Sequence, residues 1–345
     1  MAEDILTQLN TQKRLVDFNS YDISVKELIA MVGDNIIDIA PEYQRQFRWS
    51  EERQSQLIES VFLGIPIPNL FMATNADNTW ELIDGVQRLS SLIHFAADTK
   101  TRAKIGLKNL LPLRIKSLQK LSSFNDKTFE EFPKTIQLEF LLKSLKITTL
   151  SDKSDLNVRF DLFERLNTGG VKLTDQEIRS CIYRGKFNDF IKEMATNRYF
   201  KTAVKLPKER EKDGTREELA LRFFAFLNNY KSFDHSVVDF LNHYMAAAVK
   251  SFDYDTNKNV FEKTFKELAK LPEGISRKRT TTPTNLFEAV AVGAALVIKK
   301  AGKLNLRNAS VWINSEELTK LTTGATNSKA KVSGRIEFCY KKFIK

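Results

Sequence analysis

At residues 81–95 the chain reads ELIDGVQRLSSLIHF, and the character of the sequence changes at one glycine. Before Gly85, TWELI is rich in strand formers, whereas after it Leu89, Leu92, Ile93 and Ala96 recur at helical spacing. The stretch predicts a strand, a glycine turn and a helix N-terminus. Such a junction needs a sheet and a helix in one core, and it sets Asp84, Gly85, Gln87 and Arg88 where the two meet.

The flanking segments extend this reading. LFMAT and TWELI on either side of NADN predict a hairpin. Ser50 is positioned to cap a helix whose first turn carries Glu51 and Glu52. Leu57, Ile58, Val61 and Phe62 would form its apolar face, and Gly64 with Pro66 would end it. Upstream, YDISVKELIAMVGDNIIDIA predicts a short amphipathic helix ending at Gly33, then a strand IIDIA stopping at Pro41. Residues 100–145 read as short helices separated by turns such as FNDKTF and FPKT, and LKITTL at 145–150 as a strand that closes the sheet.

From Asp155 onward helical patterns dominate. VRFDLFERL predicts a helix broken by NTGG, and Thr174 with Glu177 forms a capping box for another that ends near Gly185. KLPKEREKDGTREE reads as a charged loop or partly helical linker, and LALRFFAFLNNY and PTNLFEAVAVGAALVIKK as buried helices. The expected fold class is α+β: residues 1–150 a domain with a small mixed sheet, residues 151–345 a mainly α-helical domain. A chain of 345 residues that is 42% hydrophobic has room for two such cores.

Composition removes several function classes. No run approaches the roughly eighteen apolar residues of a membrane span, and MAEDILTQLNTQKRL has acids and amides where a secretion signal would be apolar. A cytoplasmic protein with no membrane partner is expected. Cys181 and Cys339 lie far apart, and His94, His235 and His243 are scattered, which argues against a structural zinc site or a disulfide framework. Each histidine alone reads as a helix-face or core residue.

Lys and Arg outnumber Asp and Glu by 54 to 43, a formal net charge of +11. That excess attracts polyanions, nucleic acid and nucleotide phosphates among them, though an evenly basic solvated surface would show the same balance. SRKRTTTP at 276–283 is a basic loop whose Arg277, Lys278 and Arg279 are the DNA-binding candidates.

Three clusters could carry chemistry. At IDGVQR, backbone N–H groups and the helix dipole suit a phosphate. Gly85 permits close approach, Arg88 can grip phosphate oxygens, Asp84 could hold a divalent ion or polarise a water, and Gln87 could orient that water. The plainer reading is that Asp84 caps the helix and Arg88 pairs with it. At PEYQRQFRW, Tyr43, Gln44 and Arg45 sit among aromatics suited to stacking on bases and clasping phosphates; the plainer reading is an edge strand with core aromatics. At FERLNTGGVKLTDQEIR, Asn167, Gly169 and Gly170 make a turn whose N–H groups could cradle an anion, or simply an interhelical turn.

Taken together, PEYQRQFRW, SQLIESVFLGIPIPNLFM, ELIDGVQRLSSL, FERLNTGGVKLTDQEIR and REELALRFFAF resemble, in order and spacing, the family of the GmrSD restriction endonuclease N-terminal domain, also called domain of unknown function 262. The resemblance covers roughly residues 20–300. It implies a nucleotide-handling core similar in fold to ParB and sulfiredoxin, and a role in bacterial or archaeal defence against phage. It also implies nucleoside triphosphate binding or hydrolysis at a D-G-Q-Q-R motif. Asp84, Gly85, Gln87 and Arg88 match that motif, with Val86 where the first glutamine is usual. Tyr43, Gln44 and Arg45 match the family's aromatic-x-Q-R element, and Asn167, Gly169 and Gly170 its N-x-G-G turn.

Two-part members carry a downstream HNH-type nuclease domain, for which this sequence has no motif. Cleavage of DNA is therefore expected from the first domain, from a partner protein, or not at all.

The function expected is an NTP-hydrolysing protein that senses or acts on DNA in defence or restriction, with Asp84, Gln87 and Arg88 catalytic and Mg²⁺ held at Asp84. Tyr43, Gln44, Arg45, Gly85, Asn167, Gly169 and Gly170 would bind the nucleotide, in a site between the two domains. The partners expected are DNA, a nuclease or other defence protein, and further copies of the chain. Two alternatives stay open: a silent DNA-binding or regulatory module, and a metal-dependent nuclease acting through Asp84 and Glu81. The latter is disfavoured because residues three apart on a strand point to opposite faces.

Overall fold

The computed structural model describes residues 2–13, 17–39, 49–75, 77–107, 109–151, 160, 165, 174–211, 213–277, 281–324 and 326–344. It divides into two compact units, Met1–Lys172 and Leu173–Lys345.

Among its described residues the first unit has a five-stranded sheet, β1 (Phe18–Ser24), β2 (Ile37–Asp38), β3 (Leu70–Thr74), β4 (Trp80–Asp84) and β5 (Ser144–Leu150), in the order β1-β5-β3-β4-β2. The sheet is mixed. β1 with β5 and β3 with β4 run antiparallel, whereas β3 with β5 and β2 with β4 run parallel. Among the described residues it is accompanied by α1 (Ala2–Lys13), α2 (Val25–Gly33), α3 (Glu51–Leu63), α4 (Val86–Ala96), α5 (Thr99–Ala103) and α6 (Lys134–Leu142).

Much of this follows from local signals. The Ser50 hydroxyl accepts from the Arg53 N–H and caps α3, Gly64 ends it at φ +68°, and Leu57, Ile58, Val61 and Phe62 are buried as expected. The hairpin β3–β4 is present, and α4 buries Leu89, Leu92 and Ile93 completely.

Phe62 lies 5.2 Å from Phe124 and 4.9 Å from Phe140 between ring centroids, and Phe95 lies 5.2 Å from Phe140. Burying each such ring contributes roughly 1.5–3 kcal/mol. This aromatic cluster fixes α3 and α4 against one another and so sets the positions of their N-termini.

Two expectations are corrected. Residues 18–24 form a strand that the sequence pattern conceals, and β5 consequently lies inside the sheet instead of closing it. In β1 (FNSYDIS) all but the last two residues are exposed, so no alternation of apolar and polar side chains marks it. Ser24 ends that strand and caps α2 through Glu27 N–H at 3.2 Å. The expected strand IIDIA also shortens to Ile37–Asp38.

In the second unit the helices are α7 (Asp175–Ile182), α8 (Lys186–Thr196), α9 (Arg198–Ala203), α10 (Thr215–Asn229), α11 (Val237–Lys250) and α12 (Tyr254–Leu268). There follow α13 (Thr284–Phe287), a π-helical turn Glu288–Val292, α14 (Gly293–Ala301), α15 (Ala309–Ile313), α16 (Glu316–Thr322) and α17 (Lys329–Ile344). The Thr174–Glu177 capping box forms as expected. Phe200, Phe223, Phe261 and Phe265 pack edge-to-face or tilted, with centroids 4.5–5.3 Å apart. At the closest approach of α14 to α17, a Cβ on Gly293 would stand 2.7 Å from Cys339 Cβ and 2.9 Å from Tyr340 N, so only glycine fits.

A chain of buried ions runs through this core. Arg179 contacts Glu218 at 2.6 Å, Glu218 contacts Arg222 at 2.7 Å, and Arg222 contacts Glu288 at 2.7 Å; Glu288 in turn pairs with Arg335. Burial alone would raise the Glu218 carboxyl, but the guanidinium groups of Arg222 and Arg179 outweigh it and hold it below its ordinary value. Among the described residues no helix is long and apolar enough to cross a membrane.

Candidate functional site

The turn between β4 and α4 is built on Gly85. Its φ of +108° is a conformation that L side chains avoid, and a Cβ there would stand 2.2 Å from Leu70 Cδ2. Leu89 N–H then closes the first helical turn on the Gly85 carbonyl at 2.9 Å. The backbone of the turn is thereby drawn tight against β3, with the helix start presented beside Asp84.

Asp84 does not cap α4, since the N-cap residue is Gly85 and no side chain caps it. Half of the plainer reading nevertheless holds. Arg88 Nη2 donates to Asp84 Oδ2 at 2.6 Å, while Nη1 donates to the Pro68 carbonyl at 3.0 Å. The side chains of Arg88 and Asp84 are 12% and 28% exposed, so the pair lies at the surface end of a mostly enclosed turn. Val86, next in the chain, is buried.

Gln87 is held by Trp49, the last residue of the stretch PEYQRQFRW. The Trp49 N–H donates to Gln87 Oε1 at 3.1 Å, and Arg53 stacks over the Trp49 ring at 4.6 Å. The last residue of one sequence cluster is thus bonded to a residue of another at the start of α4. Tyr43, Gln44 and Arg45, together with Asn167, Gly169 and Gly170, lie outside the described residues.

Behind this turn stand two further polar groups, Gln54 and His94. Gln54, buried on α3, donates through Nε2 to the Trp49 carbonyl at 2.8 Å, and its Oε1 faces His94 Nδ1 at 2.8 Å. His94 Nε2 faces the Leu111 carbonyl at 3.1 Å. Burial pulls the His94 imidazole below its ordinary pKa, outweighing the Leu111 carbonyl and Glu51, which favour the proton; Arg102 opposes it too. His94 is thus the buried histidine its sequence setting suggested. A helix-face pattern identifies Gln54 as buried, but no spacing rule would have joined it to Trp49.

Glu81 is fully buried in β4, in register with Asp38 of β2 and Ala73 of β3, whereas Asp84 ends the strand opposite Phe71. Among the described residues no group of three or more His, Cys, Asp or Glu side chains is placed to share a metal ion.

In the second unit Arg277 is half-buried. Its guanidinium donates to the Ile313 carbonyl at 3.2 Å and to Thr322 Oγ1 at 2.6 Å; Lys278 and Arg279 lie outside the described residues.

Residues 25–184 match the family model described as the GmrSD restriction endonuclease, N-terminal domain. The matched span starts with α2, includes β2–β5, and takes in α7 of the second unit. No curated protein and no solved structure matches the chain.

Proposed function

We propose, from the match of residues 25–184 to the GmrSD restriction endonuclease N-terminal domain family, that the protein binds a nucleoside triphosphate at the start of α4 and hydrolyses it with Mg²⁺, in a prokaryotic defence or restriction role exercised on DNA. The ParB- and sulfiredoxin-like character of the first unit belongs to the same proposal.

The observation that carries the reading is the convergence of Asp84, Gly85, Gln87 and Arg88 on one helix start, with Gln87 fixed by Trp49. Helix starts attract phosphate, and Gly85, whose missing Cβ makes room for Leu70, draws this helix start against β3. Arg88 is a planar donor already committed to oxygen partners at both Nη atoms, so phosphate oxygens could take the place of Asp84 Oδ2. Asp84 would then be released to Mg²⁺. A single carboxylate completed by water and phosphate oxygens is a common Mg²⁺ environment, and the partly exposed Asp84 fits it.

Bound there, Mg²⁺ would neutralise charge on the phosphate oxygens. Arg88 would hold the phosphates, and Gln87 would orient the attacking water through its side-chain amide. Val86 replaces a usual glutamine, but its side chain is buried, so the Asp84–Arg88 pair is left intact by that change.

The test is phosphate release from each triphosphate with Mg²⁺, with and without DNA. Turnover by the natural protein and its loss in Arg88→Ala are expected; unchanged turnover in Arg88→Ala would overturn the site.

A second reading is favoured by the net charge of +11: a DNA-binding or regulatory module without turnover. Its signature is DNA binding that weakens steeply with salt while no phosphate is released. Within the basic loop, Arg279→Ala would then lower the salt slope by about one. Arg277→Ala would act mainly on stability, because Arg277 is bonded to Ile313 and Thr322.

A further inference from the structure

The hydrogen bonds behind the turn have a fixed direction. The Trp49 N–H can only donate, so the Gln87 atom facing it is the amide oxygen. The Trp49 carbonyl can only accept, so the Gln54 atom facing it is Nε2. Gln54 therefore presents Oε1 to His94 Nδ1, while the Leu111 carbonyl stands at His94 Nε2. The N–H and C=O of Trp49, which belong to successive peptide units, and the Gln54 amide link the buried imidazole to the glutamine beside Asp84 and Arg88.

We propose that Gln54 and His94 are positioning residues for Gln87, acting through the backbone of Trp49. This rests on the reading of the α4 start as the triphosphate site. A glutamine that orients water must keep its amide from rotating, because a half-turn replaces an acceptor with a donor. The Trp49 N–H prevents that rotation, and it stays in place because Gln54 holds the carbonyl of the same residue. Gln54 is 3% and His94 7% exposed, so water competes little for these bonds. Both residues are on helices that the aromatic cluster locks together through Phe62 of α3 and Phe95 of α4, 6.4 Å apart. Around the imidazole stand Glu51 of α3, Arg102 of α5, and Arg114 and Lys116 on the segment after Leu111.

The experiment compares Gln54→Met, which keeps the length of the side chain and removes both bonds, with His94→Leu and His94→Asn. The asparagine amide can still donate to Gln54 from near the position of Nδ1. Three readouts are taken: the Trp49 backbone amide resonance after selective ¹⁵N-tryptophan labelling, assigned by Trp49→Phe; the Gln87 side-chain amide resonance; and kcat and KM for triphosphate with Mg²⁺.

Gln54→Met and His94→Leu are expected to shift both resonances and to lower kcat about tenfold with KM within about twofold of the natural protein. His94→Asn is expected to restore both resonances and kcat. Resonances and kcat unchanged in Gln54→Met, or a loss in His94→Asn equal to that in His94→Leu, would overturn the proposal. Should Gln54→Met fail to fold, the two His94 variants decide. Absence of turnover in the natural protein would defeat the reading of the site, whereas the two resonances would still judge the linkage from Gln54 to Gln87.

Discussion

Asp84 and Arg88 close a 2.6 Å ion pair across the strand-to-helix turn, and Arg88 reaches back to the Pro68 carbonyl with its other Nη atom. The guanidinium therefore spans two oxygen partners with one rigid plane. Arg88→Lys would keep the charge but lose the two-point grip, and turnover should fall at least about tenfold. Asp84→Asn keeps the shape of the turn and should raise the Mg²⁺ concentration needed for half-maximal phosphate release. Steady-state assays across a Mg²⁺ series separate the two effects; an Asp84→Asn protein with unaltered Mg²⁺ dependence would remove Asp84 from the metal.

Gly85→Ala combines two penalties, a left-handed φ and a Cβ forced against Leu70. Destabilisation by about 1–3 kcal/mol or more is expected from urea unfolding midpoints. Gly64, which also has positive φ but open space around its would-be Cβ, provides the control: Gly64→Ala should cost less.

Glu288 is wholly buried and shared between Arg222 and Arg335. Glu288→Gln would leave two guanidinium groups in the core with less compensation, and removing a partner from a buried pair typically costs about 3–5 kcal/mol. Urea midpoints should show a large loss. Glu316→Gln, which breaks the exposed Lys320–Glu316 pair, should leave the midpoint in place.

His94 should make the protein less stable in acid. Its folded pKa lies below the ordinary 6.5, so between those values the unfolded chain takes up a proton that the folded chain refuses. Stability therefore falls as pH drops through 6.5 and levels off below the folded pKa. His94→Asn should flatten this part of the melting temperature against pH curve. An identical curve for the variant would show that His94 does not titrate on unfolding.

The sequence revealed the strand-to-helix turn better than its wiring. Asp84, Gly85, Gln87 and Arg88 announced themselves because a change of pattern at a glycine is a local signal. The α3 helix was equally legible from Ser50, Gly64 and one apolar face. β1 was not, because a strand exposed over most of its length has no alternation to read. Nor was the Trp49–Gln54–His94 connection, which joins residues far apart in the chain through backbone groups that every sequence carries. The π-helical turn at Glu288–Val292 likewise left no mark in an unbroken apolar run.

The ion chain of the second unit bears on how this molecule can be dissected. The matched family span stops at residue 184, after α7, but the Arg179 guanidinium on that helix is 1% exposed and answered by Glu218 on α10. A fragment excised at residue 184 would keep the cation and discard its counter-charge. Electroneutrality thus places the shortest self-sufficient piece containing α7 beyond the edge of similarity, far enough downstream to carry Glu218 with it.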